Sequence, residues 1–176
     1  MPKKIICVYD ARWPDLFAME ARVLQRALGD AILALHHIGS TAVPGLIAKP
    51  VIDIAGEARS LEEIDGLASA MTSCGYEARG AYGIDGRRYF SKAATDPGGV
   101  GFHVHVFAEG SAHIDRHILF RNYLAASPET AGAYAKLKQS LSDEEGAVVP
   151  DYTERKAPFI ERVLRLASAD AENRSG

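Results

Sequence analysis

The chain has 176 residues, with 20 Lys and Arg against 23 Asp and Glu, and a formal net charge of −3 at pH 7. That balance creates no global field that would draw the protein to nucleic acid or to an anionic membrane surface. No run approaches the roughly 18 apolar residues that a membrane-spanning helix needs, and the apolar run in MPKKIICVYD is too short for a secretion signal. The expected setting is the cytoplasm, with no membrane partner and with nucleic acid disfavoured. The length suits one domain, assigned to residues 1–167, followed by a small polar tail over 168–176 that is expected to fray. Cys7 and Cys74 have neither zinc-binding nor redox spacing and read as buried free thiols.

Ile5 to Val8 is a short apolar run with strand chemistry. Pro14 fits a first helical turn, and Leu16, Phe17, Val23, Leu24, Ala27 and Leu28 then form a helical stripe that Gly29 ends. Ile32 to Ile38 reads as a strand, and Val51 to Ala55 as a short buried one. Leu61 to Met71 has helical spacing and stops near Gly75. Arg87 to Lys92 reads as a strand, Asp96-Pro97-Gly98-Gly99 as a turn, and Gly101 to Ala108 as another strand. Helices follow over Ile114 to Ala125, from Pro128 to about Leu141, and from about Tyr152 to Ala167, with a looser stretch over Ser142 to Pro150. The pattern predicts an α/β or α+β layer with a helical C-terminal portion.

Leu35 to Ile54, LHHIGSTAVPGLIAKPVIDI, holds most of the chemistry. Gly39-Ser40-Thr41 follows a strand, and such a turn leaves backbone N–H groups free to meet an anion. Lys49 can neutralise phosphate. Asp53 lies inside an apolar strand, where a carboxylate is costly to bury unless it is paired or binds something; it can hold Mg²⁺. His103 and His105 share one strand face and can bind metal or move protons. His113 and His117 are spaced i,i+4 on a helix, and a solvated face is the favoured reading. Of His36 and His37, which point to opposite faces, His37 is preferred as the site residue. Arg87 and Arg88 enter a strand, with surface charge as the competing reading. Arg121, Tyr152 and Lys156 sit on late helices that can fold back over a phosphate. Tyr82 to Gly86 reads as a hairpin connection.

The segment HHIGSTAVPGLIAKPVIDI resembles the GrpB-like family, and YDARWPDLF, GRRYFSK, HVHVF, HILFRNYLAASPE, AYAKLK and YTERKAPFI agree with it in order, from about Val8 to Leu166. That family is similar to the nucleotidyltransferase superfamily of polymerase-beta-like fold. The resemblance implies a mixed sheet flanked by helices. It also implies a Gly-Ser turn that holds a triphosphate and acids that hold two Mg²⁺ ions for in-line transfer. Gly39-Ser40 takes the turn's place and Asp53 that of the first acid. Ala55 stands where the second acid belongs, and His103 and His105 stand near the place of the third. Glu57 is expected to fall off the sheet. Asn122 replaces the aspartate of an FRDYL motif, while Arg121 and Tyr123 keep their places. Family members fused to dephospho-CoA kinase imply a nucleotide or coenzyme A setting.

Three functions are implied. One is nucleotidyl transfer to a small molecule with Mg²⁺ or Mn²⁺. In that reading Asp53, His103 and His105 are catalytic and metal-holding, and His37, Gly39, Ser40, Thr41, Lys49, Arg88, Arg121, Tyr152 and Lys156 bind substrate phosphate. Another is an inactive ligand-binding or helper module, which Ala55 favours. The weakest is an Asp/His hydrolase with a metal such as Zn²⁺ on Asp53, His103 and His105.

Overall fold

The computed structural model describes residues 6–143 and 149–175. Helix α1, Trp13–Leu28, starts with a proline in its first turn and ends at Gly29, whose φ is +55°. Strand β1, Ile32–Ile38, runs into a 3₁₀ turn at Ser40–Ala42, and β2, Val51–Ala58, returns beside it. Helices α2, Leu61–Gly66, and α3, Ala68–Ser73, are separated at Leu67, so the expected single helix is broken there. The two-residue β3, Glu77–Ala78, precedes β4, Arg87–Lys92, and β5, Gly101–Ala108. Three helices close the chain: α4, Ala112–Ala126, α5, Pro128–Asp143, and α6, Val149–Ser175.

The five strands form one sheet in the order β1-β2-β5-β4-β3. β2 and β5 are parallel, and the other neighbours are antiparallel. The architecture is thus the mixed sheet flanked by helices, with a helical C-terminal portion, that the sequence predicts. Two details differ. The expected strand at Ile5–Val8 contributes only a bridge between Cys7 and Ala48 among the described residues. The last helix continues to Ser175, through residues expected to form a loose tail. The looser stretch over Ser142 to Pro150 falls mostly outside the described residues, and α5 runs to Asp143. Both cysteines are unbridged, as expected, but half-buried rather than buried. Among the described residues no helix is long and apolar enough to cross a membrane.

Strand alternation sorts the sheet into two faces. Ile52, Ile54, Val104 and Val106 have no exposed surface and face the layer of α1, α2 and α3, with Leu24, Leu28, Ile64 and Met71. Each such side chain contributes about 1.5–3 kcal/mol on burial. Within this layer buried Glu20 accepts hydrogen bonds from the Tyr76 hydroxyl at 2.9 Å and Lys92 Nζ at 2.8 Å. The opposite face of β2 carries Asp53, Ala55 and Glu57, and α4 packs against β1 and β2 there. A smaller core of Val43, Leu46, Leu124 and Tyr134, with Phe120 and Phe159 against it, joins the segment after β1 to α4, α5 and α6. This second core brings the late helices over the Gly39 turn.

Candidate functional site

Register assembles the centre. Asp53 on β2 lies opposite His103 on β5, and His105 lies two residues further along the same face. His105 Nε2 stands 3.2 Å from Asp53 Oδ1, and His103 Nδ1 stands 3.6 Å from the same oxygen. On the other side of β5, Tyr89 lies opposite His105 and Arg87 opposite Phe107. Tyr89 stacks on His105 with ring centroids 5.1 Å apart. Arg87 is buried and places Nη1 3.4 Å from His105 Nδ1. A guanidinium has only hydrogens to offer, so Nδ1 accepts and the Nε2–H donates to Asp53.

Burial alone would raise the Asp53 pKa. The contacts of His103 and His105 with the carboxylate outweigh it and hold the carboxyl well below the usual carboxylate range. Asp53 is therefore an anion held in place at neutral pH.

The turn meets this carboxylate directly. Gly39 has φ +73°, and a Cβ built on it would lie 2.9 Å from Asp53 Oδ2. One carboxylate oxygen thus serves the two imidazoles and the other faces the turn. Ser40 Oγ accepts a hydrogen bond from Lys138 Nζ at 3.0 Å, and Lys138 also donates to the Ile47 carbonyl. Lys138 is only 3 % exposed, and Lys156 and Lys49 lie near it. Burial, then repulsion from those two lysines, pushes its pKa down to about 7. Lys49 and Lys156 lie over the Tyr152 ring at 4.5 and 4.3 Å. Burial raises the Tyr134 hydroxyl, and a hydrogen bond with Ser40 pulls it partly back. Three cations and two tyrosines from β2's approach and from α5 and α6 therefore gather around one serine.

Among the sequence-predicted residues, Asp53, His103, His105 and Gly39 converge, and Ser40, Lys49, Tyr152 and Lys156 form the adjoining basic end. Arg121 ties α4 to this region by donating to the His37 carbonyl at 2.8 Å, and its Nε donates to Asn122 Oδ1 at 3.0 Å. Three of the residues expected to bind phosphate need correction. Arg88 sits on the opposite face of the sheet, because alternation in β4 sends it with Phe90 and Lys92; it makes two bonds to Asp65, at 2.5 and 2.7 Å. The His37 ring points with Ile54 toward α1, where it stacks on Phe17 at 4.9 Å and bonds Thr41 Oγ1 at 2.9 Å. Burial lowers its pKa to about 4. Thr41, 1 % exposed, is committed to that contact instead of facing a phosphate. His37 and Thr41 thus brace the turn from behind.

Glu57 stays on the sheet because β2 extends to Ala58, but it pairs with His36 Nε2 at 2.6 Å. It does not replace the acid missing at Ala55. Among the described residues no three His, Cys, Asp or Glu side chains are arranged to hold a metal ion. The expected metal set of Asp53, His103 and His105 is corrected accordingly. His105 bonds the carboxylate, His103 stands 3.6 Å from the same oxygen, and the second nitrogen of His105 faces a guanidinium.

Sequence reasoning missed Lys138, Tyr134, Tyr89 and His117, and chose Arg88 where Arg87 is the one on the Asp53 face. Tyr134 and Lys138 share the buried stripe of α5 with Leu141, so a lysine in an apolar stripe was the available signal. His117 is half-buried, not solvated, with its ring 6.1 Å from that of His105. Burial lowers its pKa to about 4. His113 is exposed and stacks on Phe107 at 5.0 Å.

The model of the family described as GrpB protein matches residues 4–166. UPF0157 protein YqkA of Bacillus subtilis is 39% identical over 155 residues, covering 88% of this chain and 44% of YqkA, so the chain spans less than half of that relative. A dephospho-CoA kinase of Mycobacterium bovis is 30% identical over 174 residues, covering 86% of this chain and 42% of that protein. The crystal structure of the conserved protein GrpB from Enterococcus faecalis superposes with a TM-score of 0.85 at 34% identity, covering 95% of this chain and 99% of that one. With the family model matching residues 4–166 and the fold shared in this way, the chain belongs to the GrpB family.

Proposed function

We propose that the site binds a nucleoside triphosphate at the Gly39–Ser40 turn and transfers its nucleotidyl group to a hydroxyl of a small molecule. The supporting observation is the contact between an ionised Asp53 and a turn whose serine is held by a buried lysine. A buried ammonium beside two further cations makes an electropositive end suited to an anion, and a polyphosphate is one. In the transfer, the acceptor hydroxyl oxygen bonds to the α-phosphorus. The bond from that phosphorus to the pyrophosphate oxygen breaks, and pyrophosphate leaves with the electron pair against Lys138, Lys49 and Lys156. The hydroxyl proton passes to His103, the more open of the two imidazoles, with Asp53 behind it. His105 holds Asp53 in line, and Arg87 holds His105.

Mg²⁺ or Mn²⁺ fits one carboxylate completed by substrate phosphates and water; Asp53 would hold it, and it would neutralise the phosphate charge that develops. A Zn²⁺ centre does not fit, since His105 has both nitrogens engaged, and the hydrolase reading loses its support. Two cysteines without a bridge suit a reducing cytoplasm, where we place the reaction.

The test is thermal unfolding with each nucleoside triphosphate and Mg²⁺ or Mn²⁺, beside an assay for released pyrophosphate. A rise in Tm that Asp53→Ala removes, with pyrophosphate release that Asp53→Asn removes, supports the reading. No shift with any nucleotide and either metal ends it. Ala55, together with Glu57 held by His36, favours a second reading. In it the pocket binds the nucleotide without turnover and serves a partner such as a dephospho-CoA kinase. Binding without pyrophosphate release, and a change in a kinase's activity on mixing, would select it.

A further inference from the structure

Tyr82 is a non-glycine residue with positive φ, +46°, and its side chain is 66% exposed. That backbone region is unfavourable for a bulky residue, and it persists only where the surroundings hold it. Arg87 does the holding. Its Nη2 donates to the Tyr82 carbonyl at 2.7 Å and its Nε to the Ala81 carbonyl at 3.1 Å. The same guanidinium reaches His105 Nδ1. The aromatic rings make a second connection. Tyr82 meets Tyr89 at 5.1 Å, and Tyr89 stacks on His105, also at 5.1 Å. One buried arginine and one ring thus join an exposed, strained tyrosine to the imidazole that bonds Asp53.

An exposed tyrosine alone is ordinary. A tyrosine kept at unfavourable φ by a buried cation that also reaches the Asp53 centre is not, because a glycine at that position would carry no such strain. We propose that Tyr82 is a stacking platform for the planar ring of the acceptor, a nucleoside whose hydroxyl then points toward His103 and Asp53. The proposal rests on Asp53 being the reaction centre. The platform packs on Tyr89 of β4, with β2 and β5 standing between β4 and β1, so it serves the acceptor and not the triphosphate. Its surroundings favour an uncharged ring. Arg87 is buried under Tyr82, and Arg79 is paired with Glu77 at 2.7 Å.

The experiment titrates protein carrying ¹³C-labelled tyrosine rings with adenosine, with uridine and, separately, with inorganic tripolyphosphate. The expected result is that a nucleoside shifts the Tyr82 and Tyr89 ring signals. Tyr82→Ala then weakens nucleoside binding about tenfold or more, in the range of base stacking. Tyr82→Phe preserves it, and tripolyphosphate binding is unchanged in both variants. Nucleosides that leave the Tyr82 signal unmoved, or that bind Tyr82→Ala as well as the parent, overturn the platform. If tripolyphosphate still binds in that case, and Lys138→Met removes it, the phosphate reading stands while this one falls. If tripolyphosphate does not bind the parent either, both fall.

Discussion

Gly39 and Asp53 are in contact closely enough to constrain each other's identity: a Cβ at Gly39 would stand 2.9 Å from Asp53 Oδ2 and 3.3 Å from Asp53 Cβ, at φ +73°. Gly39→Ala therefore carries both a left-handed backbone penalty and a collision with a carboxylate that two histidines hold fixed. We expect it to cost about 2–3 kcal/mol of stability and to remove the nucleotide-dependent rise in Tm. Gly45→Ala separates the two effects. Gly45 has φ +80° but open space around it, so its cost should be the backbone term alone, about 1–2 kcal/mol, with binding kept. Equal losses of binding in the two variants would show that the Asp53 contact is unimportant.

Lys138 should give the ligand-free protein an alkaline stability signature. Its folded pKa of about 7 lies below the ordinary 10.5, so between those values the unfolded chain binds more protons than the folded one. Stability then rises with pH across that window. Polyphosphate affinity should run the other way, tightening as pH falls through about 7 and the ammonium becomes charged. Lys138→Met should flatten both dependences and leave the ligand-free protein as stable or more stable at pH 6, as apolar replacement of a buried charge often does. Tm and tripolyphosphate titrations across pH 6 to 10 are the measurements. Wild-type curves flat over that range would contradict the burial argument.

At acid pH the histidines should dominate. His37 and His117 both have folded pKa values near 4 against an ordinary 6.5. The unfolded chain takes up protons first, so stability falls as pH drops from 6.5 to 4. Asp53 acts in a lower window. Its depressed pKa contributes stability that is present above the ordinary value of 3.8 and is lost as pH falls below it. His117→Phe, which keeps a ring against His105, should remove part of the slope between pH 6.5 and 4 and leave the steeper loss below it. Denaturant unfolding at stepped pH reads this directly.

Arg87 and Arg88 are adjacent and should behave oppositely. Arg88 pairs with an exposed Asp65, and exposed pairs contribute about 0–1 kcal/mol. Arg88→Ala should change stability by less than that and leave nucleotide binding intact. Arg87→Met leaves the Ala81 and Tyr82 carbonyls and His105 Nδ1 without their donor. It should cost about 2–3 kcal/mol and change the ¹⁵N signals of His105, since the ring nitrogen that accepts loses its reason to stay unprotonated. An Arg88→Ala loss matching that of Arg87→Met would refute the face assignment.

Period and punctuation in the chain were enough to mark nearly every element. Pro14 and Gly29 bounded α1, and GFHVHVFA declared β5 and put both histidines on one face. The GST turn, Asp53 and the absence of an acid at position 55 were equally plain, because they depend on neighbours in sequence. Alternation also separates Arg87 from Arg88, but it cannot say which of the two faces Asp53. That depends on how β4 registers against β5, a relation between residues far apart in the chain. The same limit hid Lys138, which is 98 residues from Ser40 and becomes a neighbour only when the Val43–Tyr134 core folds α5 over the turn. It also made His37 look like a site residue, when pairing with Ile54 turns its ring toward Phe17. The sequence by itself determined the chemistry available in each strand and turn. Tertiary structure decided which of those groups share a space, because register and helix packing set distances that local spacing does not contain.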